Sequence, residues 1–179
     1  MYPVHLTSKK VILREFRQDD VESTFRIVGD PRVTDWLSFD TRSHEQAAHM
    51  VAGIVTRAQD EPRTEYYLAI TTHASDSLIG FVRLGLSGVQ AAKLGFAVAA
   101  DAWGHGYATD AARALTTFAF HDLNLHRVSA AIGPANRASM LLVTKLGFIP
   151  EGRIRDHVFT NDAWRDSVLY SVLKHEWPE

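Results

Sequence analysis

The sequence predicts a mixed α/β (α+β) domain, with helices packed on one layer of mostly antiparallel sheet. Three observations carry this expectation. The β-like runs "YYLAIT", "SLIGFVRLGL" and "AKLGFAVA" follow one another with only turn-like breaks between them, which reads as an antiparallel meander. Segments of helical spacing stand on both sides of that meander. Near the end, "EGRIRDHVF" and "WRDSVLYSVL" flank the turn "TNDA" as a closing hairpin. With 179 residues, no internal repeat and no Pro/Gly-rich linker, the chain reads as a single domain over 1–179, long enough for a sizeable core.

Each element has its own local reason. "KVILREF" alternates weakly and forms the first strand. "DDVESTFRIVGDP" places Val21, Phe25 and Val28 at i, i+4 and i+7 and ends at Gly29 and Pro31, the pattern of a helix. "SHEQAAHMVAGIVTRAQ" opens on Ser43 as an N-cap and sets Ala47, Met50, Val51, Ile54, Val55 and Ala58 on one helical face. After the meander, "WGHGYATDAARAL" starts a helix with Ala108, Ala111, Ala112, Leu115, Phe118 and Ala119 on one face, ending near Leu123 and Asn124. "RVSAAI" is a buried strand, and "NRASMLLVTKLGF" is a short helix from about Arg137, stopped by Gly147. The order is βααβββαβαββ, a sheet covered by helices.

Composition narrows the function classes. Hydrophobic residues at 46% and charged residues at 22% are those of a globular chain. A net charge of -2 argues against a nucleic-acid backbone or an anionic membrane as the main partner. It leaves a small anionic ligand open, since that needs only local positive potential. The absence of cysteine excludes disulfides, a thiolate zinc site and a cysteine nucleophile. "MYPVHLTSKK" holds no apolar core of signal-peptide length, and no later run is long enough to span a membrane, so a cytoplasmic location is the default expectation. Of nine histidines, His44 and His49, like His121 and His126, stand five apart. That misses the i, i+4 spacing of a helical ligand pair, there is no His-Glu-x-x-His, and no metal is expected.

The informative stretch is "WGHGYATDAARAL". Gly104 and Gly106 stand just before a helix. A plain strand-to-helix turn accounts for them. So does an anion seat: the first N–H groups of a helix lack partners, the helix dipole is positive there, and glycines let successive N–H groups face one point. The hydroxyl of Thr109 offers a further donor. No Gly-Lys-Ser/Thr follows, which excludes a P-loop, and "GHGYAT" lacks the third glycine of the dinucleotide fingerprint.

A second segment, "NRASMLLVTKLGF", follows the buried strand, and the two together resemble the GNAT acetyltransferase superfamily. Its motif Arg/Gln-x-x-Gly-x-Gly/Ala falls on Trp103-Gly104-His105-Gly106-Tyr107-Ala108, with Trp103 replacing the usual Arg or Gln. "WGHGYATDA", "LHRV", Asn-x-x-Ser, "KLGF" and the closing hairpin are similar to the RimJ/RimL-type ribosomal-protein N-terminal acetyltransferases. The resemblance runs from "VILREF" to the end of the chain. It implies a GNAT fold, in which the fourth strand, here "KLGFAVA", carries a bulge and splays from the fifth.

The resemblance also implies acetyl-CoA as co-substrate. Its pyrophosphate would lie on the N–H groups from Gly104 to Thr109, and its pantetheine arm along Phe96, Ala97 and Val98. Asn136 matches the residue that holds the pantetheine arm, although an N-cap explains it equally well, and an amide has two ends. Ser139 matches a serine near the thioester, the candidate donor to the departing thiolate; on its own it reads as a packing or capping residue. The tyrosine that many relatives place seven residues after the Asn is here Val143. Trp36 and Phe39 fall where the acceptor-side loop lies, and His157 falls in the closing hairpin; all three are candidate acceptor-pocket residues or ordinary core and surface. Arg137 and Lys145 read as solvated helix charges before contacts to a 3′-phosphate.

The base expected on the fourth strand is replaced by Lys93, leaving a loop acid such as Asp35 as the alternative. An α-amino group has a pKa of ~7.8 and a lysine ~10.4, so at pH 7.5 about a third of the first and about a thousandth of the second is neutral. Without a carboxylate base the chain favours a low-pKa amine. The implied function is acetyl-CoA-dependent N-acetylation, with a protein N-terminal α-amine as acceptor. The alternatives are a small-molecule amine (polyamine, amino acid or aminoglycoside), another acyl donor, or a catalytically silent acyl-CoA-binding module. Edge strands near the closing hairpin offer a surface for a homodimer.

Overall fold

A computed structural model describes residues 1–178. One eight-stranded sheet runs in the order β1-β2-β3-β4-β5-β6-β8-β7. The strands are β1 (His5–Thr7), β2 (Val11–Glu15), β3 (Glu65–Thr72), β4 (Ser75–Leu86), β5 (Ala91–Val98), β6 (Arg127–Ile132), β7 (Ile149–Thr160) and β8 (Ala163–Leu173). The helices are α1 (Val21–Val28), α2 (Pro31–Thr34), α3 (His44–Arg57), α4 (Tyr107–His121) and α5 (Arg137–Lys145). All neighbouring strands are antiparallel except β5 and β6, which are parallel. Among the described residues no helix is long and apolar enough to cross a membrane.

Strand periodicity distributes side chains to two cores. Tyr66, Leu68 and Ile70 of β3 face α4 and α5, together with Leu84, Leu94, Leu115, Val128 and Val143. Ala69 of β3, Phe81 of β4 and Ala97 of β5 face the other way, against Ile27, Val51 and Ile54 of α1 and α3. Each leucine or phenylalanine fully buried in these layers contributes roughly 1.5–3 kcal/mol. Ser43 caps α3 as the sequence indicates: its side chain accepts from the Gln46 N–H, and Gln46 returns the bond to Ser43. The predicted α4 face is buried at Ala111, Ala112, Leu115, Phe118 and Ala119.

Four details differ from the sequence expectation. β1 precedes the expected first strand and pairs with β2; three residues are too few to show a period. The first helix ends at Gly29 as expected, but a further short helix, α2, follows it, because Asp30 caps a new turn at Pro31. α4 ends at His121, short of Leu123. The expected bulge in "KLGFAVA" is absent from its ladder with β4, which runs unbroken from Gly80↔Val98 to Leu86↔Ala92.

The splay itself is present. β5 pairs with β6 only from Ala91↔Arg127 to Lys93↔Ser129. Beyond Lys93 the two strands part, and the edge of Leu94–Val98 that faces β6 has no strand partner.

Candidate active site

The parted strands open a cavity of about 820 Å³. Leu94 to Val98 line one wall and Ala130 to Ile132 the other. Gly104, Gly106 and the first turn of α4 close one end with α5, while Val33 of α2 and Trp36 to Ser38 just after it reach it from the opposite face of the sheet. The cavity is therefore bounded by elements from both faces.

The glycine turn is built by its neighbours. Gly104 has φ +80 and Gly106 φ +77, a left-handed backbone that side chains disfavour. Gly106 is the N-cap of α4 and supplies no side-chain bond. The first intrahelical bond runs from the Asp110 N–H to the Gly106 carbonyl at 3.1 Å, so the N–H groups of Tyr107, Ala108 and Thr109 stand ahead of the helix ladder. The Trp103 indole N–H donates to the Val98 carbonyl at 2.8 Å. This gives Trp103 a physical role in place of an Arg or Gln: it ties the turn to the end of β5.

Of the residues singled out in the sequence, Phe96, Ala97, Val98, Trp103, Gly104, Gly106, Tyr107, Ala108, Thr109, Asn136, Ser139 and Trp36 all border this cavity. Asn136 accepts the Ser139 N–H at 3.1 Å, which caps α5 and leaves its amide nitrogen as a donor. Three residues are not brought to the cavity. His105 turns its ring to the Trp103 carbonyl at 2.9 Å and stacks on Tyr107 at 5.4 Å between centroids. Phe39 packs into the α1/α3 core beneath the Arg42 guanidinium, 4.6 Å away. His157 is bound to the Ser167 hydroxyl at 2.9 Å within the β7–β8 hairpin.

The electrostatics of the lining are simple. Among the described residues no Asp, Glu or His lines the cavity, and its only charged side chains are Arg137 and Lys145. Lys93 is exposed and outside the lining. Asp35 is also outside it; its backbone carbonyl accepts from Arg165 at 2.6 Å, and Arg165 also reaches the Leu37 carbonyl. That clamp orders the loop carrying Trp36, Leu37 and Ser38. Neither the clamp nor the lining by Val33 carries a local sequence signal. No group of three or more His, Asp or Glu side chains suited to a metal occurs among the described residues.

A sheet parted between two parallel strands, with an uncapped helix start at the gap, defines a mixed-sheet domain built to take an extended anionic ligand. The chain matches the acetyltransferase (GNAT) domain over residues 10–149 and belongs to that family. It is similar to the uncharacterized N-acetyltransferase YnaD of Bacillus subtilis, 25% identical over 97% of this chain and 99% of that protein. It is 30% identical to the [ribosomal protein uS5]-alanine N-acetyltransferase of Escherichia coli over 49% of this chain and 45% of that one. The structure of Mycobacterium smegmatis RimJ in complex with CoA-disulfide superposes with a TM-score of 0.86 at 22% identity, covering 100% of this chain and 93% of the other.

Proposed function

We propose that the protein transfers the acetyl group of acetyl-CoA to a protein N-terminal α-amine by direct attack. The observation that carries the reading is the cavity itself: an uncapped helix start at a glycine turn, an unpaired strand edge beside it, and, among the described residues, no carboxylate or imidazole in the lining. The first suits a pyrophosphate. The second suits an extended pantetheine arm, which can hydrogen-bond along a free strand edge as an added strand does. The third suits an acceptor of which a substantial fraction, about a third for an α-amine, is neutral at pH 7.5.

The residues present fit such a ligand. Gly104 to Thr109 would receive the pyrophosphate, Phe96 to Val98 and the Asn136 amide the pantetheine arm, and Trp36 with its loop would form the acceptor side. The amine nitrogen attacks the thioester carbonyl carbon, the C–S bond breaks, and the nitrogen's proton passes to water. Ser139 donates a hydrogen bond to the departing sulfur as charge develops there. The ribosomal-protein enzyme among the relatives supports the choice of α-amine acceptor, as does the arithmetic of amine pKa values. Reaching the neutral form of an ordinary lysine at pH 7.5 costs roughly 4 kcal/mol, which an α-amine largely avoids.

Calorimetric titration with acetyl-CoA, followed by thiol release with peptides bearing free or blocked N-termini, tests the reading. Micromolar binding and turnover confined to free N-termini are expected. Turnover with polyamines, amino acids or aminoglycosides alone would replace the acceptor; binding without turnover on any amine would make the protein a silent binder.

A further inference from the structure

Lys10 comes from a part of the chain remote from the glycine turn, yet grips it from behind. The backbone N–H groups of Lys10 and Val11 donate to the Asp110 carboxylate at 2.7 and 3.2 Å. The Lys10 ammonium donates to the His105 carbonyl at 2.7 Å, across 95 residues of sequence. A Cβ built on Gly106 would come 3.2 Å from the same ammonium. The entry to β2 is thus bound to the first turn of α4 by main chain and side chain together.

The direction of these bonds matters. In a planar trans peptide the carbonyl and the N–H point in opposite directions. The peptide joining His105 to Gly106 has its oxygen on Lys10, so its N–H points away from Lys10. Gly106 lines the cavity and His105 does not. A flip of this peptide would turn the carbonyl oxygen toward any anion in the turn, and Lys10 opposes that flip. A cation on the oxygen also polarises the amide and strengthens its N–H as a donor.

We infer that Lys10 is a positioning residue for the pyrophosphate of acetyl-CoA, acting through the His105–Gly106 peptide. The inference rests on the reading of the turn as the pyrophosphate seat. It assigns no contact between Lys10 and the ligand.

The test compares acetyl-CoA with S-acetylpantetheine, a thioester without the pyrophosphate, on the wild type and on Lys10→Met, Lys10→Gln and Lys10→Arg. Lys10 is exposed, so its truncation leaves the core untouched. Lys10→Met is expected to weaken acetyl-CoA binding about tenfold, the scale of one lost charge-assisted hydrogen bond. kcat should change little, and kcat/KM for S-acetylpantetheine should not change. Lys10→Arg should recover most of the affinity and Lys10→Gln part of it, and these two carry the test if Lys10→Met does not fold. Equal losses on both thioesters would make Lys10 merely structural, and unchanged acetyl-CoA affinity would leave its contact without a role. A folded wild type that binds no acetyl-CoA would remove the pyrophosphate reading itself, and the inference with it.

Discussion

Replacing Gly106 by alanine perturbs the turn in two ways that can be weighed separately. At φ +77 the alanine carries a left-handed backbone penalty of roughly 1–2 kcal/mol. Its Cβ also arrives 3.2 Å from the Lys10 ammonium. The end of a lysine moves cheaply, so the crowding is relieved by releasing the His105 carbonyl. The strained turn then relaxes, and binding must restore its donor geometry at about the same 1–2 kcal/mol, a loss of roughly tenfold in acetyl-CoA affinity. Gly147→Ala is the control: φ is +93, nothing lies within 4 Å of its Cβ, and the residue is outside the cavity lining. Both variants should melt lower by roughly 2–4 °C per kcal/mol lost, as expected for a chain of this size. Scanning calorimetry with acetyl-CoA titration reads both quantities. The reasoning is refuted if Gly106→Ala binds as the wild type does, or if Gly147→Ala loses as much affinity.

Ser139→Ala keeps the backbone N–H that Asn136 accepts, so α5 should remain capped. kcat should drop about tenfold or more with acetyl-CoA affinity unchanged, and equal losses in steady-state and binding assays would make Ser139 a binding residue. Arg165→Met retains the apolar stem but loses both carbonyls of the acceptor-side loop. Acceptor KM should rise about tenfold while acetyl-CoA affinity holds, and a loss confined to acetyl-CoA would place that loop on the wrong side. Among the described residues four carboxylates sit below their ordinary range: Asp30 through hydrogen bonds from Arg32, Asp76 through hydrogen bonds from Arg17 and Arg14, Asp166 through the Asp156 N–H and Arg153, and Glu151 through Ser171 and Arg127. The unfolded chain protonates at these sites first, so their stabilisation is complete above about pH 5 and is lost as pH falls through the lower folded values. Melting temperature should fall progressively below about pH 4, with a shallower fall in Asp76→Asn.

What the sequence made legible is what local chemistry determines. The Ser43 N-cap, the β-like runs of β3 to β5 and the apolar face of α4 each follow from residues within a few positions of one another. The glycine turn was legible for the same reason, since two glycines at a helix start point to left-handed backbone. β1 and α2 were hidden by length. Long-range contacts left no local trace. Lys10 in "SKK" reads as a surface charge until the fold sets it against His105, and Arg165 reads as a hairpin charge until it meets Asp35 and Leu37. Phe39 and His157 show the reverse case, residues named by position in a resemblance whose side chains are held outside the cavity lining.

The absence of a base from the lining bears on the acceptor more than any aromatic residue does. Arg137 and Lys145, the charged side chains of the lining, can pair with phosphate but cannot accept a proton while charged. Lys93 is exposed outside the lining, and Asp35 offers the molecule its backbone carbonyl to Arg165. Neither Lys93, at the position expected for the base, nor the loop acid Asp35 lines the cavity. The gap between an α-amine and a lysine is about 2.6 pKa units, or roughly 3.5 kcal/mol, and among the described residues no side chain of the lining supplies it. The same lining thus suits a pyrophosphate at one end and an amine of low pKa at the other, the chemistry that the proposed donor and the proposed acceptor both require.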